Sequence, residues 1–140
     1  MPNSTSRDAL LLLCRFCLSF LFLWGGTVKL MNPPAFVAML AHEGVPASTW
    51  FGYFGIFAEV GGGLALLVGW HTRLLTLLFV VYLIVATLIG HRFWEFTGPA
   101  YVANRVNFTK NVAAVGGMLL LWITGPGGWS WDGIVRKLKG

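Results

Sequence analysis

Phe51-Gly-Tyr-Phe-Gly-Ile-Phe-Ala-Glu59-Val-Gly-Gly-Gly-Leu-Ala-Leu-Leu-Val-Gly-Trp70 is an apolar run of about 20 residues interrupted by one carboxylate. A helix of that length crosses the hydrocarbon core of a bilayer. An isolated charge at such depth costs roughly 3 kcal/mol on insertion scales. Glu59 must therefore be protonated, paired, or facing a polar cavity. It is the first residue that a structure has to explain.

Working outward, three more runs have spanning length: about 9–31, 74–90 and 107–124, beside about 49–70 for the run that holds Glu59. Asn32-Pro33-Pro34 stops the first, because proline lacks an N–H and biases the residue before it out of the helical region. His71-Thr72-Arg73 makes a tight polar turn between the second and third. Thr124-Gly-Pro-Gly-Gly128 breaks the fourth. Between the first two runs, Ala35–His42 reads as a short helix along the membrane surface. The segment His91–Val106 reads as a loop whose Phe93, Trp94, Phe96 and Tyr101 anchor at the lipid interface. The expected fold is all-α: a single-domain integral membrane protein, 1–140, built as an antiparallel four-helix bundle.

Composition agrees with this reading. Of 140 residues, 56% are hydrophobic and only 11% charged. Water-soluble domains carry about 25% charged residues. The net charge of +5 is scattered along the borders of the apolar runs, which fits membrane topology and anionic headgroups rather than nucleic acid. The bilayer is thus the first partner. Four crossings put both termini on one side with Arg7, Arg73, Arg136, Lys137 and Lys139. The other side holds Lys29, Arg92, Arg105 and Lys110. The positive-inside tendency then favours cytoplasmic termini. The apolar segment after Arg7 is too long for a signal peptide and lacks a small-residue cleavage site, so it reads as a retained first helix.

Antiparallel threading places Glu59 roughly 12–15 Å below the outer end of its helix. Lys29 closes the first helix at that side, His91 closes the third, and Asn107, Lys110 and Asn111 open the fourth. These side chains are the candidate ligand-binding pocket, with Glu59 as its floor. A lysine reaching inward by about 6 Å approaches the carboxylate. Arg15, deeper in the first helix, is a second potential ion-pair partner from below. Against the pocket stands the plainer reading that Lys29, His91 and Lys110 snorkel to water; that escape is closed to Glu59.

Cys14-Arg15-Phe16-Cys17 is a C-x-x-C pair in which Arg15 would lower a thiol pKa, a weak redox candidate. A helix interior disfavours the disulfide, and cysteine is common as a small buried residue. No zinc spacing, phosphate-binding loop or haem-attachment motif occurs, and no residue pattern specifies a catalytic step. Glycines within the runs, such as Gly25-Gly26, Gly61-Gly62-Gly63 and Gly116-Gly117, serve close helix packing, leave room for a flat ligand, or support a homo-oligomer.

The ordered set Arg15, Gly25-Gly26-Thr-Val-Lys29-Leu30, Glu59-Val-Gly-Gly-Gly-Leu-Ala-Leu-Leu-Val-Gly69, Thr72-Arg73, His91-Arg-Phe-Trp94, Asn107-Phe-Thr-Lys110-Asn111 and Gly116-Gly117 resembles the DoxX family of small bacterial membrane proteins. The Cys14/Cys17 pair lies outside that pattern. The resemblance implies a four-helix bundle of the inner membrane. It also implies a link to redox assemblies, which in this family include a quinone-reducing thiosulfate oxidoreductase and oxidative-stress complexes. The layout is similar as well to sterol-isomerase and sigma-2-receptor-type proteins, an analogy of fold alone.

Three functions follow as expectations. The first is a membrane subunit of a redox system whose apolar pocket, with a few converging polar groups, suits a quinone. With no electron-carrying centre in the chain, a soluble or membrane redox partner would supply the electrons. The second is a small-lipophile binder or proton-coupled carrier, although no internal duplication is visible. The third is a structural anchor for a soluble enzyme, with Glu59 merely paired.

Overall fold

The computed structural model describes residues 4–139. Six α-helices follow in order: α1 (Ser4–Met31), α2 (Pro33–His42), α3 (Ser48–Val68), α4 (Thr72–Gly90), α5 (Gly98–Thr124) and α6 (Trp131–Lys139), with a 3-10 turn at Phe93–Glu95. Four of them, α1, α3, α4 and α5, are long and apolar enough to cross a membrane. The described residues contain no strand. The protein is an all-α membrane four-helix bundle.

Each spanning helix turns one stripe inward at the helical period. That stripe is Arg15, Ser19, Phe22 and Gly26 on α1, and Gly52, Gly55, Ile56, Glu59, Gly63 and Leu66 on α3. On α4 it is Thr72, Thr76, Phe79, Leu83 and Thr87; on α5 it is Asn111, Ala114, Met118 and Leu121. The outward faces carry large apolar side chains such as Phe57, 74% exposed, and Ile123, 66% exposed. In water that surface would aggregate; in lipid it is the solvated face. The polar residues Arg15, Ser19, Thr72 and Thr76 are fully buried instead.

The bundle is two antiparallel pairs, α1 with α3 and α4 with α5. The first pair is close because Gly26 has no side chain: a Cβ there would lie 2.9 Å from the Glu59 Cβ and 3.1 Å from the Val60 backbone nitrogen. Phe22 of α1 stacks on Phe79 of α4 with ring centroids 3.8 Å apart, joining the two pairs. Leu66, Leu83, Ala114, Met118 and Leu121 complete the core.

Asn32 caps α2 by accepting from the Ala35 N–H at 3.2 Å, and proline opens the helix where a missing donor does no harm. The α3–α4 turn rests on Gly69, whose φ of 80° completes a Schellman motif: the Trp70 N–H reaches Ala65 O at 2.9 Å and the Gly69 N–H reaches Leu66 O at 3.1 Å. Asp132 of α6 then caps α4 from a distant part of the chain, accepting from the N–H groups of His71 at 2.9 Å and Thr72 at 2.8 Å.

The structure differs from the sequence reading at α5, which begins at Gly98 rather than near Asn107. Pro99 sits in its first turn, and the polar Asn104 and Arg105 end the apolar run without ending the helix. A 27-residue helix is roughly 40 Å long, more than the hydrocarbon core, so its first turns stand clear of the lipid interior. The basic helix α6 is a further element that apolar run length did not reveal, being too short and too charged to register.

Candidate functional site

Glu59 sits midway along α3, 5% exposed and turned into the bundle. Its Oε1 accepts two donors. One is the ammonium of Lys29, which reaches inward from the last turn of α1 and forms the ion pair. The other is the Tyr82 hydroxyl of α4, at 2.5 Å. The second oxygen, Oε2, is buried without a hydrogen-bond partner. It faces Gly25, where an added Cβ would come within 3.3 Å. Phe36 of α2 roofs the cluster, with Lys29 Nζ 5.0 Å from its ring centroid. Gly55 lies beneath Phe36 and Tyr82, each 3.6 Å from where its Cβ would be.

The arrangement draws three helices onto one carboxylate oxygen. Charge-assisted hydrogen bonds of this kind are roughly twice as strong as neutral ones. In low dielectric they offset the desolvation of both ions only when the geometry is good. An acceptor left bare costs about 1–3 kcal/mol, so Oε2 is the unspent valence of the site.

The other pocket residues expected from the sequence are dispersed around it. Asn111 Nδ2 donates to Thr87 Oγ1 at 2.8 Å, a buried bond that ties α5 to α4. Both line a small, largely apolar hollow of about 120 Å³ with Leu83 and Phe108. His91 Nδ1 meets Asn104 Oδ1 at 3.3 Å, while its ring feels the charges of Lys29 and Lys110. Lys110 turns along its own helix to Asn107 Oδ1, 3.0 Å away and exposed. Of the expected rim, Lys29 alone bonds Glu59.

Arg15 does not pair with Glu59. It lies fourteen residues before Lys29, roughly 21 Å down the α1 axis. Fully buried there, it donates through Nη1 to Leu67 O at 2.7 Å and through Nη2 to Trp129 O. Carbonyls in the last turn of a helix lack intrahelical donors, and the guanidinium fork supplies one to α3. It makes no ion-pair contact with a carboxylate among the described residues. Cys14 and Cys17 are free thiols on the exposed face of α1.

Tyr82 escaped the sequence reading. Its signal was a phenol in the middle of the third apolar run, where a buried hydroxyl needs a partner. Thr87, Asn104 and Asp132 were missed because short polar side chains reveal their partners only when the helices are assembled.

Fold and site together define a class: a four-span helical membrane protein with an ionic cluster held inside the bundle. The comparisons with known proteins are specific. The DoxX family profile matches residues 10–92. The chain is 36% identical to the inner membrane protein YphA of Escherichia coli (strain K12) over 127 residues, covering 91% of each chain. It is 32% identical to the inner membrane protein YqjF of the same organism, covering 94% of this chain and 95% of the relative. An uncharacterized Caenorhabditis elegans protein, T02E1.7, is 30% identical over 49% of this chain and 25% of its own length. The chain belongs to the DoxX family. No solved structure matches.

Proposed function

We propose that this DoxX protein is an inner-membrane subunit of a redox system, with cytoplasmic termini, that holds the hydroxyl head of a quinone-class lipophile against Glu59. One observation supports this above the others: the bare, buried Oε2 facing Gly25. With Oε1 taken up by Lys29 and Tyr82, an ionised Glu59 offers only an acceptor. The complementary ligand group is an O–H, so the cluster suits a quinol better than a quinone, whose carbonyls only accept. Lys29 pairs with the carboxylate and orients it; Tyr82 fixes the rotamer. Electrons pass to or from a partner protein of that redox system.

A specific observation favours a second reading. The Lys29–Glu59–Tyr82 triad is closed on itself on one oxygen, and the apolar hollow at Thr87 and Asn111, about 120 Å³, is below the roughly 300 Å³ of ordinary ligand sites. A structural anchor for a soluble enzyme needs no more than that. A small-lipophile carrier shares the site chemistry of the first reading and differs in having no electron-transfer partner.

Native mass spectrometry with lipid extraction separates these functions. Wild-type protein in mild detergent is compared with Glu59→Gln after incubation with ubiquinol and, separately, ubiquinone. Preferential retention of the quinol, lost in the variant, is the expected result. Equal retention of both forms, or none, sinks the quinol reading, and a bound soluble protein without lipophile points to the anchor.

A further inference from the structure

We infer that the hollow between α4 and α6, at the end of the bundle that carries the termini, is a binding site for the phosphate headgroup of an anionic phospholipid. It is independent of the Glu59 reading and lies past the C-terminal end of α3, whereas Glu59 sits midway along that helix.

The hollow has a volume of about 350 Å³ and is lined by His71, Arg73, Leu74, Pro126, Asp132 and Arg136. Two arginines from different helices therefore face one space. Among the described residues neither forms an ion pair. Asp132 is the natural candidate to neutralise Arg136, four residues along the same helix. Its carboxylate is turned instead to the His71 and Thr72 N–H groups and makes no ion-pair contact with either arginine, so the hollow carries two guanidinium charges against one carboxylate. The two guanidinium groups are left with their donors available. Such forks match phosphate oxygens.

The orientation of α6 places this hollow at the headgroup level. Its Gly133 packs so closely on the chain that a Cβ would lie 2.9 Å from Gly128 O, which fixes its inner face. Trp131, Ile134 and Leu138 point away from the protein and are 53%, 51% and 81% exposed. A helix whose apolar side faces outward beside spanning helices lies in the interface plane with that side in lipid. Trp70 and Trp129, both exposed, flank it as interface residues do. A basic hollow between helices at this level has the chemistry of an anionic lipid site, with Leu74 beside the first acyl carbons.

The test uses full-length protein in nanodiscs and in detergent, with phosphatidylglycerol, phosphatidylcholine of the same acyl chains, and inorganic phosphate as probes. Wild-type protein should retain phosphatidylglycerol through detergent washing and release phosphatidylcholine. Arg73→Gln with Arg136→Gln should weaken phosphatidylglycerol retention about thirtyfold, the combined effect of two basic contacts. Lys137→Gln with Lys139→Gln removes the same charge outside the hollow and should cost clearly less, because those side chains do not line it. Equal losses from the two double variants would reduce the effect to diffuse surface attraction and overturn the site. Competition by inorganic phosphate at equal concentration would overturn the assignment to lipid. Should the arginine variant fail to fold, the comparison of the three probes on wild-type protein still decides: equal retention of both lipids refutes the proposal.

Discussion

Tyr82 and Lys29 donate to the same oxygen of Glu59, so α1, α3 and α4 converge on a single atom while its twin oxygen is left bare.

Removing the cation alone strands a buried carboxylate. Lys29→Met should destabilise the protein by about 3–5 kcal/mol, whereas Lys29→Met with Glu59→Gln should recover most of that loss. Thermal unfolding in detergent, run as a double-mutant cycle, reads the coupling. Additive losses would mean that the two side chains do not depend on each other.

Tyr82→Phe deletes one donor and keeps the ring against Phe22 and Phe79. A hydrogen bond to a charged group contributes about 1.5–3 kcal/mol, and the variant should lose an amount in that range. Equilibrium unfolding measures it. On the proposed function, quinol retention should fall in the same variant because Glu59 gains rotamer freedom; unchanged retention would remove Tyr82 from the site.

Arg15→Met leaves Leu67 O and Trp129 O without their donor at the far end of the bundle. Each bare carbonyl costs about 1–3 kcal/mol. Amide exchange should accelerate in the α3–α4 turn and in α6, which the guanidinium holds together, and leave the Glu59 end protected. Acceleration spread evenly over the chain would contradict that division.

Gly26→Ala puts a methyl against α3 backbone and should destabilise by about 1–3 kcal/mol through overpacking. Gly116→Ala meets nothing within 4 Å on α5 and should stabilise by up to about 1 kcal/mol through helix propensity. Paired melting curves test the contrast; the same sign for both would show that α1 and α3 are less tightly packed than the geometry states.

Much of the architecture was legible in the chain itself. Run length and the scarcity of charge specify four membrane crossings, because a bilayer accepts only segments that satisfy their own backbone and expose apolar side chains. Asn32-Pro33-Pro34 and Gly125-Pro126-Gly127 mark where helices must end. That Glu59 must be protonated, paired or facing a polar cavity follows from the same physics. Where a helix leaves the lipid was not legible: Asn104 and Arg105 are polar, yet α5 runs through them, since polarity limits the hydrocarbon span and not the helix.

Which polar group meets which was a tertiary decision. Arg15 and Lys29 are both cations of α1, and sequence leaves either free to pair with Glu59. Helix depth, rotation and the availability of two bare carbonyls send Arg15 to Leu67 and Trp129 instead. Tyr82 joins Glu59, and Asp132 caps α4 from sixty residues away, because packing fixes distances that no local spacing encodes. A bilayer imposes length and polarity on each segment separately; hydrogen-bond partners a few ångströms apart are specified only once the segments are packed together.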